Sequence, residues 1–122
     1  MKGISLGFLG LGILCALIGM GWGIVMSATA DHTLSPAHAH LNLLGWVSYS
    51  IFAFYYHAVP EAAQSMLAKV HFALAVSGVV VIVPGIVWAI QQTGETAAKI
   101  GSVLTILSMV TFGVVVLKTA RR

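Results

Sequence analysis

Apolar residues fill the chain in four long runs, about Gly3–Ala28, Ser35–Val59, Leu67–Ile90 and Ala98–Leu117, with polar residues gathered between and beyond them. Each run is near or above the roughly 20 residues that an α-helix needs to cross a bilayer core. The connections are short. Asp31 to Pro36 makes the first, and Ser35-Pro36 suits the start of the second helix. Val59-Pro60-Glu61 ends that helix, and Glu61 to Ser65 forms the second turn. Gln91 to Thr96 makes the third. Pro84-Gly85 falls inside the third run and predicts a kink there. The pattern predicts an all-α, integral membrane four-helix bundle, a single domain over residues 1–122 with almost nothing outside the bilayer.

Composition agrees with that pattern: 59% of the residues are hydrophobic and only 7% charged, which excludes an ordinary soluble domain. Charge orients it. With the N-terminus inside, Lys2, Lys69, Lys118, Arg121 and Arg122 are cytoplasmic and only Lys99 is outside, in keeping with the positive-inside rule. Both termini are therefore expected in the cytoplasm. The net charge of +3 follows from this topology and gives no reason to expect nucleic acid as a partner. The first run, followed by Ala28-Thr29-Ala30, resembles a secretory signal, but it is much longer than the apolar core of one and predicts a retained first helix. The single Cys15 lies within that helix and has no intrachain disulfide partner.

Glycines at 3, 7, 10, 12, 19, 21 and 23 crowd the first helix, and Gly3/Gly7 and Gly19/Gly23 have the GxxxG spacing of close helix packing.

The chemistry lies in "SPAHAHLNLLGW", Ser35 to Trp46, where His38 and His40 head an apolar span. Ionisable groups inside a membrane are costly and commonly functional. Residues two apart on an α-helix point about 200° from each other, so the two rings face nearly opposite flanks. They are badly placed to grip one ion, unlike histidines four apart. Reflection through the Glu61–Ser65 turn puts His57 and His71 near the cytoplasmic side, with His40 about 15 Å further along the normal from His71. His40 and His71 are thus not expected to share an iron. A second copy of the same helix always offers an imidazole at matching depth. A head-to-tail contact closing into a ring pairs His38 of one subunit with His40 of the next. Three subunits are the smallest such ring, and larger rings stay open on geometry alone.

Reflection through the first turn brings Gly21, Trp22, Gly23 and Met26 to the depth of the pair, and reflection through the second brings Pro84-Gly85 close to Leu44 and Gly45. Glycines there leave an open wall for a planar cofactor, although helix packing explains them equally well. His57 and His71, with Tyr55, Tyr56 and Lys69 nearby, suit either a structural role or a second metal site or proton route. His32, beside Asp31, suits a solvated turn.

"HAHLNLLGW", His38 to Trp46, resembles the helix of heme-copper oxidase and nitric oxide reductase catalytic subunits that carries a His-x-His pair. It is most similar to small four-helix bacterial membrane proteins labelled oxidase subunit I-like, with weaker similarity through "FYYHAVP". In the large family the two histidines of that helix serve different hemes near the outer face. The resemblance therefore implies heme b, and only His38 and His40 map onto its iron ligands; Gly21 and Gly23, from the depth match, and Trp46 complete the expected cofactor site. Lys99 is the outer cation available to a propionate. Family subunits carry three pseudo-symmetric groups of four helices, so the resemblance selects a homotrimer, placed in a bacterial inner membrane.

The departures are informative. The family's copper site needs three further histidines, two of them adjacent, and this chain has no adjacent pair. No acidic residue lies mid-membrane as a proton relay, so oxygen or nitric oxide reduction is not supported. The expectation is a non-enzymatic, cytochrome-b-like protein that transfers electrons, with a quinol or a cytochrome as redox partner, or senses gas or redox state. The alternatives are a copper- or zinc-binding membrane protein, for which Met20, Met26, His32, His38 and His40 supply soft and imidazole donors, and an oxidase-like assembly subunit.

Overall fold

The computed structural model describes residues 1–120, so Arg121 and Arg122, expected on the cytoplasmic side, lie outside the described residues. Three helices are long and apolar enough to cross a membrane: α1 (Gly3–Thr29), α5 (Met66–Ile90) and α6 (Thr96–Ala120). Between α1 and α5 the chain is helical from Ser35 to Ala58 in three consecutive parts. These are α2 (Ser35–His40), a π-helical segment (Leu41–Val47) and α3 (Ser48–Ala58). A short α4 (Pro60–Ala63) follows Val59, and no strand occurs among the described residues. The protein is an all-helical membrane protein.

Local sequence explains the breaks. Ala30 ends α1 in the left-handed conformation (φ 53°), its N–H reaching back to the carbonyls of Met26 and Ser27. Pro36 in the first turn of α2 costs no hydrogen bond, because the first turn has no intrahelical acceptor for its N–H groups. Ser65 caps α5, its hydroxyl accepting from the Ala68 N–H at 3.1 Å. Helix α5 continues unbroken through Pro84 to Ile90.

Neighbouring segments run antiparallel. Along α1, Gly23 meets His38, Gly19 meets Asn42, Gly12 meets Tyr49 and Phe8 meets Phe52. Along α5, Gly78 meets Thr105, Ile82 meets Gly101 and Gly85 meets Ala97 and Ala98. The Ala30–Leu34 and Gln91–Glu95 turns thus share one end. Residue Met1 and the Val59–Ser65 link share the other, where both border one pocket. Large apolar side chains such as Ile24, Met20, Val80 and Ile106 point outward, as lipid contact requires.

The interior narrows to an aromatic box at the Met1 end. Phe8, Phe52, Tyr56 and Phe112 enclose His71, which is completely buried. The Phe52 and His71 ring centroids are 4.4 Å apart and nearly perpendicular, and Phe112, itself against Phe52, stacks on His71 at 5.1 Å. These rings come from α1, α3, α5 and α6, so the box ties all the long segments together. It is closed further out by Tyr49, whose buried hydroxyl donates to the Ala75 carbonyl at 2.8 Å.

One expected neighbourhood is corrected. Pro84-Gly85 does not meet Leu44 and Gly45: Gly85 lies against the backbone of Ala97 and Ala98, and Gly45 against Cys15 of α1. Leu44 shares its surroundings with Ala75 and Val79 instead. The π-helical turns advance less per residue than an α-helix, so mirror counting through the Glu61–Ser65 turn overshoots along α5.

Candidate functional site

The segment carrying both histidines changes character just after them. Residues 35–40 are α-helical and residues 41–47 π-helical, with Ser48 bonding back five residues: its hydroxyl donates to the Leu43 carbonyl at 2.9 Å. Such wide turns are rare and recur at functional sites. Gly45, buried in the middle of this stretch, lets it lie against α1, since a Cβ there would come 2.7 Å from the Cys15 sulfur.

Because His38 and His40 both precede the widening, the α-helical angle of about 200° between them applies. His38 turns to α1. Its ring meets Trp22 edge-on at a centroid distance of 6.2 Å, and a Cβ on Gly23 would sit 3.2 Å from its Cε1. His40 therefore leaves the rod on the flank away from α1. Its Nδ1 donates to the Pro36 carbonyl at 2.7 Å, which assigns the remaining lone pair to Nε2. Anchoring one ring nitrogen on a backbone carbonyl is the usual companion of metal ligation through the other. Both imidazoles are partly buried.

A broad groove of about 740 Å³ runs between α1 and α2, bounded by Met20, Gly23, Ile24, His38 and Asn42. It is open along most of its extent, a surface groove and not an enclosed cavity. Gly21, expected at this site, is exposed with open space where a side chain would be and does not border the groove. Met26, grouped with the other soft donors on sequence grounds, is buried. Trp46 lies further along the rod and is 38% exposed. Lys99 is at the same end of the molecule, with its Nζ 3.6 Å from Glu95 Oε2, both side chains exposed. Such a pair is worth little and leaves the ammonium available to other anions. His32 sits in the first turn, where Asp31 accepts from the Thr33 hydroxyl at 2.6 Å and the Thr33 N–H at 3.0 Å. Those bonds hold the Asp31 carboxyl below the usual carboxylate range.

His71 and His57 are at the far end. His71 contacts Phe8, and Phe8 and the Trp22 of the His38 site are about 21 Å apart along α1 at 1.5 Å per residue. The two are not brought together: His57 is exposed, whereas His71 is walled in by rings, its Nδ1 2.9 Å from the Tyr56 hydroxyl. His71 Nε2 is buried without a hydrogen-bond partner among the described residues. Among the described residues no group of three or more His, Cys, Asp or Glu side chains gathers as a metal site.

The box therefore predicts a stability effect separable from the His38 end. Tyr56→Phe alone is expected to cost about 1–2 kcal/mol, because it strands a second buried imidazole nitrogen. The Tyr56→Phe/His71→Leu pair is expected to recover most of that loss, since both polar partners are then gone. Unfolding of Tyr56→Phe, His71→Leu and the pair in mixed detergent micelles reads the difference, and a double variant weaker than either single one would show that the bond has a role beyond packing.

Asn42 was missed by sequence reasoning, although an amide four residues after His38 lies on the same face of a helix and signals the contact. No family model matches the chain, and no curated protein and no solved structure matches it.

Proposed function

We propose that this chain is a four-span membrane cytochrome of the b type, with both termini in the cytoplasm, that assembles as a homotrimer and holds heme between subunits. His38 of one subunit and His40 of the next would be the axial ligands. The observation that carries this reading is the His38 ring seated against Gly23 of α1 while His40, two residues on and so about 200° round the rod, is anchored through Nδ1 with Nε2 left for a ligand. The other imidazole of the chain at that end, His32, sits exposed in the first turn, so each ring would take its partner from another copy.

The residues present fit the group. The groove beside His38 is open and mostly apolar, with Met20 and Ile24 on its walls, and Gly23 lets the His38 ring lie against α1. Two axial imidazoles leave iron no open position, so the chemistry heme supplies there is electron transfer or redox sensing, with a quinol or a cytochrome as candidate partner. The protein's own part is to keep each ring in one tautomer, exclude water with apolar side chains, and offer Lys99 to a propionate. A location in a bacterial inner membrane accords with the same reading.

Met20 shares the groove with His38, which favours copper, bound by thioether and imidazole, as the second reading. Purification in mild detergent followed by oxidised and reduced visible spectra separates the two. Sharp reduced bands from a red preparation are expected. A colourless protein carrying stoichiometric copper by elemental analysis would refute the heme reading.

A further inference from the structure

We infer that Asn42, seated against Gly19, is the residue that sets the orientation of the His38 imidazole. The inference rests on the reading of His38 as a heme ligand. The Asn42 amide is itself fixed: its Nδ2 donates to the His38 carbonyl at 3.0 Å, and its head fills the space in front of Gly19. A Cβ on Gly19 would lie 2.7 Å from Asn42 Cγ and Nδ2 and closer still to Oδ1, so only glycine admits the amide there. From that seat Nδ2 stands 3.4 Å from both His38 Nδ1 and His38 Nε2. It is equidistant from the two nitrogens, so it restrains the ring as a whole without committing either lone pair.

The other side of the imidazole is closed by Gly23 and Trp22. The ring is thus held between an amide on its own rod and the wall of α1. Both α1 glycines that touch this corner, Gly19 and Gly23, serve one purpose: the first makes room for the amide and the second for the ring. A polar amide beside an apolar span is costly to keep, and packing alone would be better served by Leu at position 42. Its backbone bond and its contact with both ring nitrogens supply a reason for it. Asn42 is a positioning residue: it acts on iron only through His38.

The full chain in detergent, titrated with hemin as wild type, Asn42→Ala, Gly19→Ala, the Gly19→Ala/Asn42→Ala pair and His38→Ala, tests this. Asn42→Ala and Gly19→Ala are each expected to weaken heme retention about tenfold, as loss of a ligand-orienting partner does. Each should also shift the low-spin g-values, which report the plane of the axial ring, while helicity and native mass stay those of wild type. In the Asn42→Ala background the Gly19→Ala change should add little, because the space it would invade is already empty. Hemin retention and g-values unchanged in both single variants, with His38→Ala losing heme, would overturn the role of Asn42 alone. Should Asn42→Ala not fold, Gly19→Ala decides by the same two readouts. Retention of heme by His38→Ala would overturn the site and this inference together.

Discussion

Alanine at His38 or at His40 is expected to strip the purified protein of heme, whereas His57→Ala should leave heme content near wild type. The reason is geometric. His38 faces α1 and His40 leaves the opposite flank of the same rod, so each iron would draw on two chains and lose an axial bond in either variant. A sharper form of the test mixes the two defects. In a head-to-tail ring assembled from equal amounts of His38→Ala and His40→Ala chains, about one interface in four joins an intact His38 to an intact His40. Heme per chain should therefore return to about a quarter of the wild-type value, although neither variant binds any alone. Measured as Soret absorbance per mole of chain, a mixture as empty as its components would sink the intersubunit model. Full heme in His38→Ala, with an unchanged low-spin spectrum, would sink the ligand assignment.

How much of this was legible beforehand depends on which physical rule governed each residue. Long apolar runs and short polar gaps located the helices to within a few residues, because bilayer thickness sets helix length. Counting back through the first turn placed Trp22 and Gly23 beside His38, where both are found. Mirror counting failed for Leu44 and Gly45. It assumes a constant rise, and the π-helical stretch over Leu41–Val47 does not have one. Nothing in "LNLLGW" announces a π-turn, nor the close packing of Gly45 on Cys15 of α1 within it. The fate of His71 was equally hidden. Its burial depends on Phe8, Phe52, Tyr56 and Phe112 arriving from three other segments, a tertiary coincidence that no local pattern records.

The glycines show the same division, and they carry the second large prediction. GxxxG spacing drew attention to α1, where Gly19 and Gly23 do face the next segment, but Gly3 opens the helix at φ 58° and touches nothing. The tightest approach of backbone to backbone is between α5 and α6, at Gly85 and Gly101, which have no such spacing partner. A Cβ on Gly101 would lie 2.6 Å from both Cα and Cβ of Ile82, and one on Gly85 within 2.9 Å of three backbone atoms of Ala97 and Ala98. Backbone cannot rotate away as a side-chain tip can, so the helices must part. Gly101→Ala and Gly85→Ala are each expected to destabilise the protein by about 1–3 kcal/mol, net of the gain in helix propensity. The two sites sit one turn apart along the same seam, so the double variant should cost less than the sum: helices already separated by one methyl accommodate the second more cheaply. Gly10→Ala and Gly113→Ala, with no atom within 4 Å of the added carbon, are expected to fall within about 0.5 kcal/mol of wild type or slightly above it. Equilibrium unfolding in mixed detergent micelles measures all five. Equal stability of Gly101→Ala and Gly113→Ala would mean that α5 and α6 do not approach at Gly101, and the seam would have to be redrawn.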